Sequence, residues 1–299
     1  MTRLLVHIGH HKTGTSWLQQ VLFPQHPLFV PLVDSAAPWN DALMRALVAV
    51  RSGDFDAASA SRLLQERISR AQIRHGQIGV VSAERLSGHP LSGGYDSHAI
   101  AGRIHQIAPD ALVFGVVRGQ RSMIRSSYKQ LVMEGFPGTI EQWLFAETWK
   151  GTGFRWEYYE FDRLLRRYQA LFGPEQVLFM RYEGLIAEPG LFIRQLTEFC
   201  GLPEPAGLQD GRVNQSLGCL GTRVFRHLNH LRRTELNRFP MVALPHAVFP
   251  ATKRALRLIE RLTGSKDLLL PQGLEQEIEH RYAESNVRLA ALIDRVESK

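Results

Sequence analysis

Cysteine is scarce in this chain of 299 residues, which contains only Cys200 and Cys219 and no C-x-x-C pair. Such sparse cysteine supports neither a disulfide framework nor a common zinc-binding pattern, so we expect a reduced, cytoplasmic protein. No apolar run approaches the ~18 residues of a membrane span, and we expect no membrane-spanning segment. The first residues also lack a basic segment followed by an apolar stretch, so we expect no secretory leader.

Signatures of nucleic-acid binding are also missing. The sequence has no zinc-finger spacing, no RNA-binding aromatic signature and no dense basic run, so no nucleic-acid partner is expected. Lys and Arg still exceed Asp and Glu by 36 − 29 = 7, and the pI is about 9.7. This balance favours a polyanionic ligand, although nucleic acid or an anionic membrane would also suit it. With 44% hydrophobic and 22% charged residues, the chain is expected to form a packed globular core.

The most informative pattern lies near the N-terminus. Leu4–Ile8 has the composition of a buried strand, Gly9–Ser16 reads GHHKTGTS, and Trp17–Gln20 opens a helical pattern. A strand, a glycine-bounded loop and a helix can hold a phosphate, because backbone N–H groups and the helix N-terminus point at the anion. ATP-binding loops carry a lysine directly after the second glycine. Here Thr15 takes that place and the lysine is Lys12, so a clamp for β/γ-phosphates and Mg²⁺ is not reproduced.

The sequence HKTGTSWL, at residues 11–18, resembles the 5′-phosphosulfate-binding loop of the sulfotransferases. These enzymes take a sulfuryl group from 3′-phosphoadenosine 5′-phosphosulfate (PAPS). The family pattern is roughly Lys-[Ser/Thr]-Gly-Thr-[Thr/Ser]-x-Leu, often with Trp at x, and the chain matches it throughout. The loop looks most like that of bacterial members, and the chain like a soluble one. The resemblance implies that PAPS contacts His11, Lys12, Thr13, Gly14, Thr15, Ser16 and Trp17.

Two later segments resemble the same family and follow in the expected order. Arg118 ends the predicted strand Ala111–Val117, and Ser126 lies eight residues further on, the spacing of the 3′-phosphate ligands in relatives. An arginine fork and a hydroxyl are suitable donors for a phosphate. Tyr182 matches a tyrosine that lies near the adenine. The resemblance also implies a C-terminal segment that closes over the nucleotide, for which Arg212 is a candidate ligand.

Strand and helix patterns alternate along the first part of the chain. The predicted buried strands are Leu4–Ile8, Ile78–Ser82, Ala111–Val117 and Val177–Tyr182, with a short edge strand within Leu28–Val33 and one helix over Phe154–Phe172. Together with the resemblance, this predicts a P-loop-like three-layer α/β fold with a mostly parallel central sheet flanked by helices, plus a helical C-terminal segment. We expect one sulfotransferase domain over residues 1–299, with a nucleotide-binding core in 1–206 and a mostly helical extension in 207–299. The amphipathic stretch Leu274–Val296 has three open roles: packing on the sheet, contacting the acceptor, or forming a homodimer.

Sulfuryl transfer resembles phosphoryl transfer and needs a cation at the leaving oxygen and a base for the acceptor proton. Lys12 is the candidate cation. Relatives use His or Glu as the base, and Glu84 follows the strand Ile78–Ser82, so it is the first candidate, with His89 second and His11 third. Partial burial is expected to raise the pKa of Glu84 toward a useful range. No metal is expected, since the sequence shows no acidic cluster after a strand.

The resemblance implies a PAPS-dependent sulfotransferase that modifies a hydroxyl or amine on a small molecule or glycan, without metal. Many bacterial members modify carbohydrates. One alternative is a nucleotide kinase or other P-loop NTPase, which would need a lysine after Gly14 and a metal-holding aspartate after a strand. Another is a non-catalytic nucleotide- or polyanion-binding module, which would bind the bisphosphate nucleotide without transferring a sulfuryl group.

Overall fold

The computed structural model describes residues 2–34, 38–146, 153–204, 217–240, 242–245, 247–264 and 267–297. Within them, five strands form one parallel sheet in the order β2-β3-β1-β4-β5. The strands are β1 (Arg3–His7), β2 (Phe29–Pro31), β3 (Ile78–Ser82), β4 (Leu112–Val117) and β5 (Val177–Arg181). The central strand β1 lies between β3 and β4, so the strand order reverses beside it. Ligands of open parallel sheets bind at the carboxyl ends of the strands at such a point.

The helices are numbered in chain order. They are α1 (Thr15–Trp17), a π-helical segment (Leu18–Leu22), α2 (Phe23–Gln25), α3 (Ala42–Val48), α4 (Ala57–Ala71), α5 (Ser97–Ile107), α6 (Gln120–Glu134), α7 (Ile140–Leu144), α8 (Phe161–Phe172), α9 (Tyr182–Ala187), α10 (Pro189–Phe199), α11 (Cys219–Leu228), α12 (Val248–Thr263) and α13 (Gln272–Glu297). Short 3₁₀ turns span Pro38–Asn40, Ser52–Asp54, Glu84–Ser87, Pro90–Ser92, Trp156–Tyr159, Pro174–Gln176 and Asn229–Leu231. None of the helices in the described ranges combines the length and the apolar character needed to cross a bilayer.

Alternate residues of the buried strands face opposite sides of the sheet. On one side, Leu5, Val80, Phe114 and Met180 belong to an apolar core that also contains residues of α2, α9 and α10 and of the π-helical segment. On the other side, α8 packs against β4 and β5, and α5 packs against α8. The three-layer α/β fold predicted from the sequence is confirmed.

The chain forms two compact units. The first contains Met1–Arg118, Trp156–Val213 and Tyr282–Lys299, and it carries the whole sheet. The second contains Gly119–Arg155 and Asn214–Arg281, and its described secondary structure is helical: α6, α7, α11, α12 and the start of α13.

The helix predicted over Phe154–Phe172 begins only at Phe161, so the predicted start was wrong. Glu160 has φ −82° and ψ 79°, which is not helical, and a separate 3₁₀ turn precedes it. Tertiary contacts account for the difference, because Tyr158 in that turn is buried and its hydroxyl donates a hydrogen bond of 3.4 Å to the carbonyl of Gly88.

Candidate active site

Four neighbouring strands bring candidate residues to one edge of the sheet. Lys12 lies in the loop after β1, Glu84 follows β3, Arg118 directly follows β4, and Tyr182 directly follows β5. All four residues belong to the first unit. Because parallel strands end at the same edge, residues far apart in sequence meet around the loop between β1 and α1.

The loop after β1 has a backbone that forms a concave set of donors. Lys12 has φ +67° and Gly14 has φ +81°, while Thr13 between them is outside the positive-φ region, and Thr15 begins α1. Such an alternation in the sign of φ aims successive N–H groups into one concavity, which suits an anion. Lys12 adopts this conformation at a cost, because a side chain in the left-handed region is strained by about 1–2 kcal/mol.

The two glycines of the loop are required by close contacts. A Cβ on Gly9 would lie 2.6 Å from both His7 Nε2 and Thr15 Oγ1. A Cβ on Gly14 would lie 2.8 Å from Leu185 Cδ2, in addition to the unfavourable positive φ. The loop backbone therefore approaches β1 and α9 more closely than any side chain would allow.

The predicted PAPS contacts of the loop divide into two groups. The Thr13 hydroxyl donates to the carbonyl of His10 at 2.6 Å, and the Thr15 hydroxyl donates to the same carbonyl at 3.3 Å, so both stabilise the turn itself. Ser16 and Trp17 are half-buried at the start of α1. Contact of these residues with a nucleotide stays a prediction.

Arg118 connects the loop to the ends of β4 and β5. Its Nη1 donates a hydrogen bond of 3.0 Å to the carbonyl of Lys12, and its Cζ lies 4.7 Å from the centroid of the Tyr182 ring. A guanidinium over an aromatic face is held by a cation–π interaction in addition to its hydrogen bonds. Arg118 and Tyr182, which the sequence predicts to be nucleotide ligands, are thus neighbours of Lys12.

Two further predicted nucleotide ligands are Ser126 and Arg212. Ser126 lies within α6, in the second unit, and is half-buried. Arg212 lies outside the described residues. Their roles in binding a nucleotide stay predictions.

Glu84 pairs with His11 rather than with its neighbour Arg85. His11 Nδ1 lies 2.9 Å from Glu84 Oε2, while Arg85 Nη2 lies 2.9 Å from Asp96 Oδ2. The side chain of His11 is only 9% exposed and that of Glu84 is 33% exposed, so the carboxylate is the accessible member of the pair. Ser87 holds the backbone here, because its hydroxyl donates to the carbonyls of Glu84 at 3.0 Å and Gly9 at 3.3 Å.

The expected rise in the pKa of Glu84 was wrong. Burial does raise the pKa of this carboxyl, but the hydrogen bond and the electrostatic interaction with His11, followed by the charge of Lys12, together lower it below its ordinary value. Glu84 is therefore ionised at neutral pH.

His89 lies beside the pair, with its ring centroid 5.3 Å from that of His11. Burial, followed by the charges of His11 and Arg85, lowers the pKa of His89 to about 4, so the ring is neutral at pH 7. Its Nδ1 accepts a hydrogen bond of 3.2 Å from the backbone N–H of Leu91. In this neutral tautomer the proton is on Nε2, and His89 is a donor.

Sequence reasoning missed a buried network beneath the loop. His7 Nδ1 is 2.7 Å from the Ser82 hydroxyl, and Gln19 Nε2 donates to the Ser82 hydroxyl at 3.1 Å and to the Ser82 carbonyl at 3.2 Å. The His7 ring stacks on Phe114 at 5.2 Å, and burial lowers the pKa of His7 to about 3. The network joins β1, β3 and the π-helical segment. A histidine inside a buried strand was its only signal in the sequence.

Among the described residues, no group of three or more His, Cys, Asp or Glu side chains is placed to hold a metal ion.

Comparison with known proteins gives one family match. Residues 96–206 match the model of a family described as "Sulfotransferase family". This segment contains Arg118, Ser126 and Tyr182. The loop with Lys12 lies before it, and so does Glu84. No curated protein sequence matches the chain.

Several solved structures are similar to the chain. A sulfotransferase from Alicyclobacillus acidocaldarius has 18% identity and a TM-score of 0.49, covering 84% of this chain and 99% of its own. The sulfotransferase domain from the curacin biosynthetic pathway has 15% identity and a TM-score of 0.42, covering 90% and 99%. The sulfotransferase domain from the Synechococcus PCC 7002 olefin synthase has 11% identity and a TM-score of 0.46, covering 91% and 98%.

Proposed function

We propose that this chain, whose residues 96–206 match the model of the sulfotransferase family, transfers a sulfuryl group from PAPS to a hydroxyl or amine of a small molecule or glycan. The observation that carries the proposal is the meeting of Lys12, Glu84 and Arg118 around the loop after β1. A cation and an ionised carboxylate suit the transfer step, and an arginine suits a phosphate of the donor.

The residues of the loop suit a sulfonated nucleotide better than a triphosphate. The concavity formed by residues 12–15 offers backbone N–H groups, and Lys12 stands inside the turn rather than after it. Arg118 lies over the Tyr182 ring, so the proposed 3′-phosphate ligand and the proposed neighbour of the adenine are side by side. When bound, PAPS would supply the sulfuryl group and leave as the bisphosphate nucleotide.

The proton and the developing charge are handled by this chain's own residues. As the acceptor oxygen bonds to sulfur, Glu84 takes its proton, and the electron pair of the broken S–O bond stays on the 5′-phosphate oxygen. Lys12 stabilises that oxygen with its ammonium. The carboxylate is already ionised and is the exposed member of the pair, whereas His11 is buried and holds one carboxylate oxygen in place. We therefore assign Glu84 as the base and His11 as a positioning residue.

In this proposal His89 is a hydrogen-bond donor and not a base. A neutral ring whose Nδ1 already accepts a hydrogen bond carries its proton on Nε2 and has no nitrogen left to accept another. We assign it as a donor that orients the acceptor.

The test uses purified full-length chain with radiolabelled PAPS and fractionated cell extract, with a panel of carbohydrates as a second arm. We expect label to appear in an acceptor with wild type and to be lost with Glu84→Gln, while both proteins bind 3′-phosphoadenosine 5′-phosphate equally. Nucleotide binding without transfer to any fraction would favour a binding module. Mg²⁺-dependent ATP turnover would favour an NTPase.

A further inference from the structure

Residues 217–264, in the second unit, concentrate the positive charge of the chain. This region contains nine Arg and Lys and two Glu, a difference of seven, which equals the net charge of +7 of the whole chain. One of the two acids, Glu260, is buried, and its carboxylate accepts hydrogen bonds of 2.9 Å from the N–H groups of Gly218 and Gly221 at the start of α11. Glu235 is therefore the one acid that this region presents at its described surface.

The helix α12 has three distinct faces. Phe249, Leu256 and Glu260 form its buried face. The opposite side is apolar yet exposed, since Leu258 is 58%, Ile259 43% and Leu262 78% exposed. At 3.6 residues per turn, three exposed arginines form a stripe between these two faces; they are Arg254, Arg257 and Arg261.

The connection between α11 and α12 repeats this combination. Phe239 is 89% exposed, Val242 63% and Leu236 44%, and the exposed arginines Arg233 and Arg238 lie among them. Single exposed apolar side chains are common on protein surfaces, but several in one region, bordered by charged side chains, are typical of an interaction surface.

The positive charges of this region lie close enough to one another to shift a pKa. Burial, followed by the charges of Arg257 and Arg232, lowers the pKa of Lys253. A second copy of the same surface would add like charges and be repelled. An anionic partner would relieve the crowding.

We propose that α12 and the described residues of the connection before it, 233–240 and Val242, dock on an anionic lipid membrane, with the helix lying in the plane of the interface. The exposed Leu, Ile and Phe side chains enter the boundary between headgroups and acyl chains, and the arginines reach back to lipid phosphates. A membrane presents anionic groups directly above an apolar layer, which matches both parts of the surface. A nucleic acid or soluble polysaccharide would satisfy the arginines and leave the apolar side chains in water. The proposal does not rest on the proposed enzymatic function.

The test is co-sedimentation of the full-length chain with vesicles of phosphatidylcholine, with and without phosphatidylserine. Binding is expected only with phosphatidylserine, and it should weaken as salt is raised. The triple variant Arg254→Gln, Arg257→Gln, Arg261→Gln should bind these vesicles on the order of 100-fold more weakly. The double variant Leu258→Gln, Leu262→Gln should also bind on the order of 100-fold more weakly, because it removes two inserting side chains.

Matched control variants show whether a loss of vesicle binding is specific to this surface or follows from a lower net charge. Arg62, Arg70 and Arg74 are exposed arginines of the first unit, so their triple change to Gln removes the same charge elsewhere. Val287 is 71% exposed on α13, and Val287→Gln is the apolar control. Both controls should bind like wild type, and thermal unfolding should show all variants folded.

Three outcomes would overturn the proposal. The first is no binding of wild type to phosphatidylserine vesicles. The second is equal loss in the Arg62, Arg70, Arg74 control, which would reduce the effect to net charge. The third is wild-type binding by the Leu258, Leu262 variant, which would indicate a surface for a soluble polyanion instead.

Discussion

Removal of the Lys12 ammonium should lower the rate of sulfuryl transfer by about 10²- to 10³-fold. The side chain is half-buried, so its charge acts where the effective dielectric constant is about 20. A unit charge ~4 Å from a fully developed negative oxygen then contributes about 4 kcal/mol, and tenfold in rate corresponds to about 1.4 kcal/mol. Because the oxygen is only partly charged in the transition state, the lower part of this range is expected for Lys12→Ala.

The backbone at Lys12 allows the role of the side chain to be separated from that of the loop. Lys12→Ala keeps a side chain at φ +67°, so the strain and the loop conformation should remain. Lys12→Gly also removes the ammonium but relieves the strain, and it should stabilise the fold by about 1 kcal/mol. Both variants should be equally slow, although they differ in stability.

Gln72 supplies the matched control, because among the described residues it is the other non-glycine with positive φ, at +48°. Gln72→Gly should raise the stability in the same way and leave transfer unchanged. Single-turnover transfer of labelled sulfuryl groups gives the rate, and thermal unfolding gives the stability. Transfer by Lys12→Ala within a few-fold of wild type, or recovery of transfer in Lys12→Gly, would refute the assigned role of the ammonium.

Other predictions concern the base, the nucleotide ligand, acid stability and the loop glycine. His11→Leu removes two of the causes that lower the pKa of Glu84 and leaves burial, which raises it, so the acid limb of the pH–rate profile should move to higher pH; an unmoved limb would show that the pair does not act together. Arg118→Ala should weaken the binding of 3′-phosphoadenosine 5′-phosphate about 10- to 100-fold, as measured by calorimetry. It should weaken the binding of the analogue without the 3′-phosphate much less, and equal losses of affinity for both nucleotides would contradict the assignment. Burial lowers the pKa of His10 to about 3, so between about pH 6.5 and pH 3 only the unfolded chain gains this proton. The free energy of unfolding should therefore fall by about 1.4 kcal/mol for each unit by which the pH drops. Denaturant titrations should show a smaller pH dependence of this free energy for His10→Phe, and an unchanged pH dependence would count against a neutral buried ring. Gly9→Ala should cost about 1–3 kcal/mol, because its Cβ would meet His7 and Thr15. Gly190→Ala, in helix α10 with open space around it, should be neutral or slightly stabilising, and equal melting temperatures of the two variants would refute the close approach at Gly9.

The strands were the most predictable part of the fold. Ile78–Ser82 has the bounds predicted from its apolar run, and the loop after β1 could be recognised from its glycines and lysine. Both are local features, since composition and spacing within about ten residues determine them. The start of α8 could not be predicted in this way, because burial of Tyr158 beside Gly88 and Gly94 competes with helix propensity.

Contacts between strands account for what the sequence did not reveal in the site. His7 meets Ser82 because β1 and β3 pair in a register that sets these two residues side by side. A shift of one residue would place the ring on the other face of the sheet. No local pattern around either residue specifies that register.

The charge state of Glu84 shows most clearly why a candidate residue is easier to predict than its chemistry. The position of Glu84 after β3 follows from the sequence, and so does partial burial, which acts to raise the pKa. The observed lowering of the pKa depends on which basic side chain the carboxylate pairs with. Arg85 is adjacent in sequence but pairs with Asp96, and the partner of Glu84 is His11, from the loop after a different strand. Because Arg85 is engaged by Asp96, the carboxylate of Glu84 pairs with His11 instead, at 2.9 Å. The partner that determines the pKa of Glu84 is therefore set by the tertiary fold and not by the neighbouring residue in the sequence.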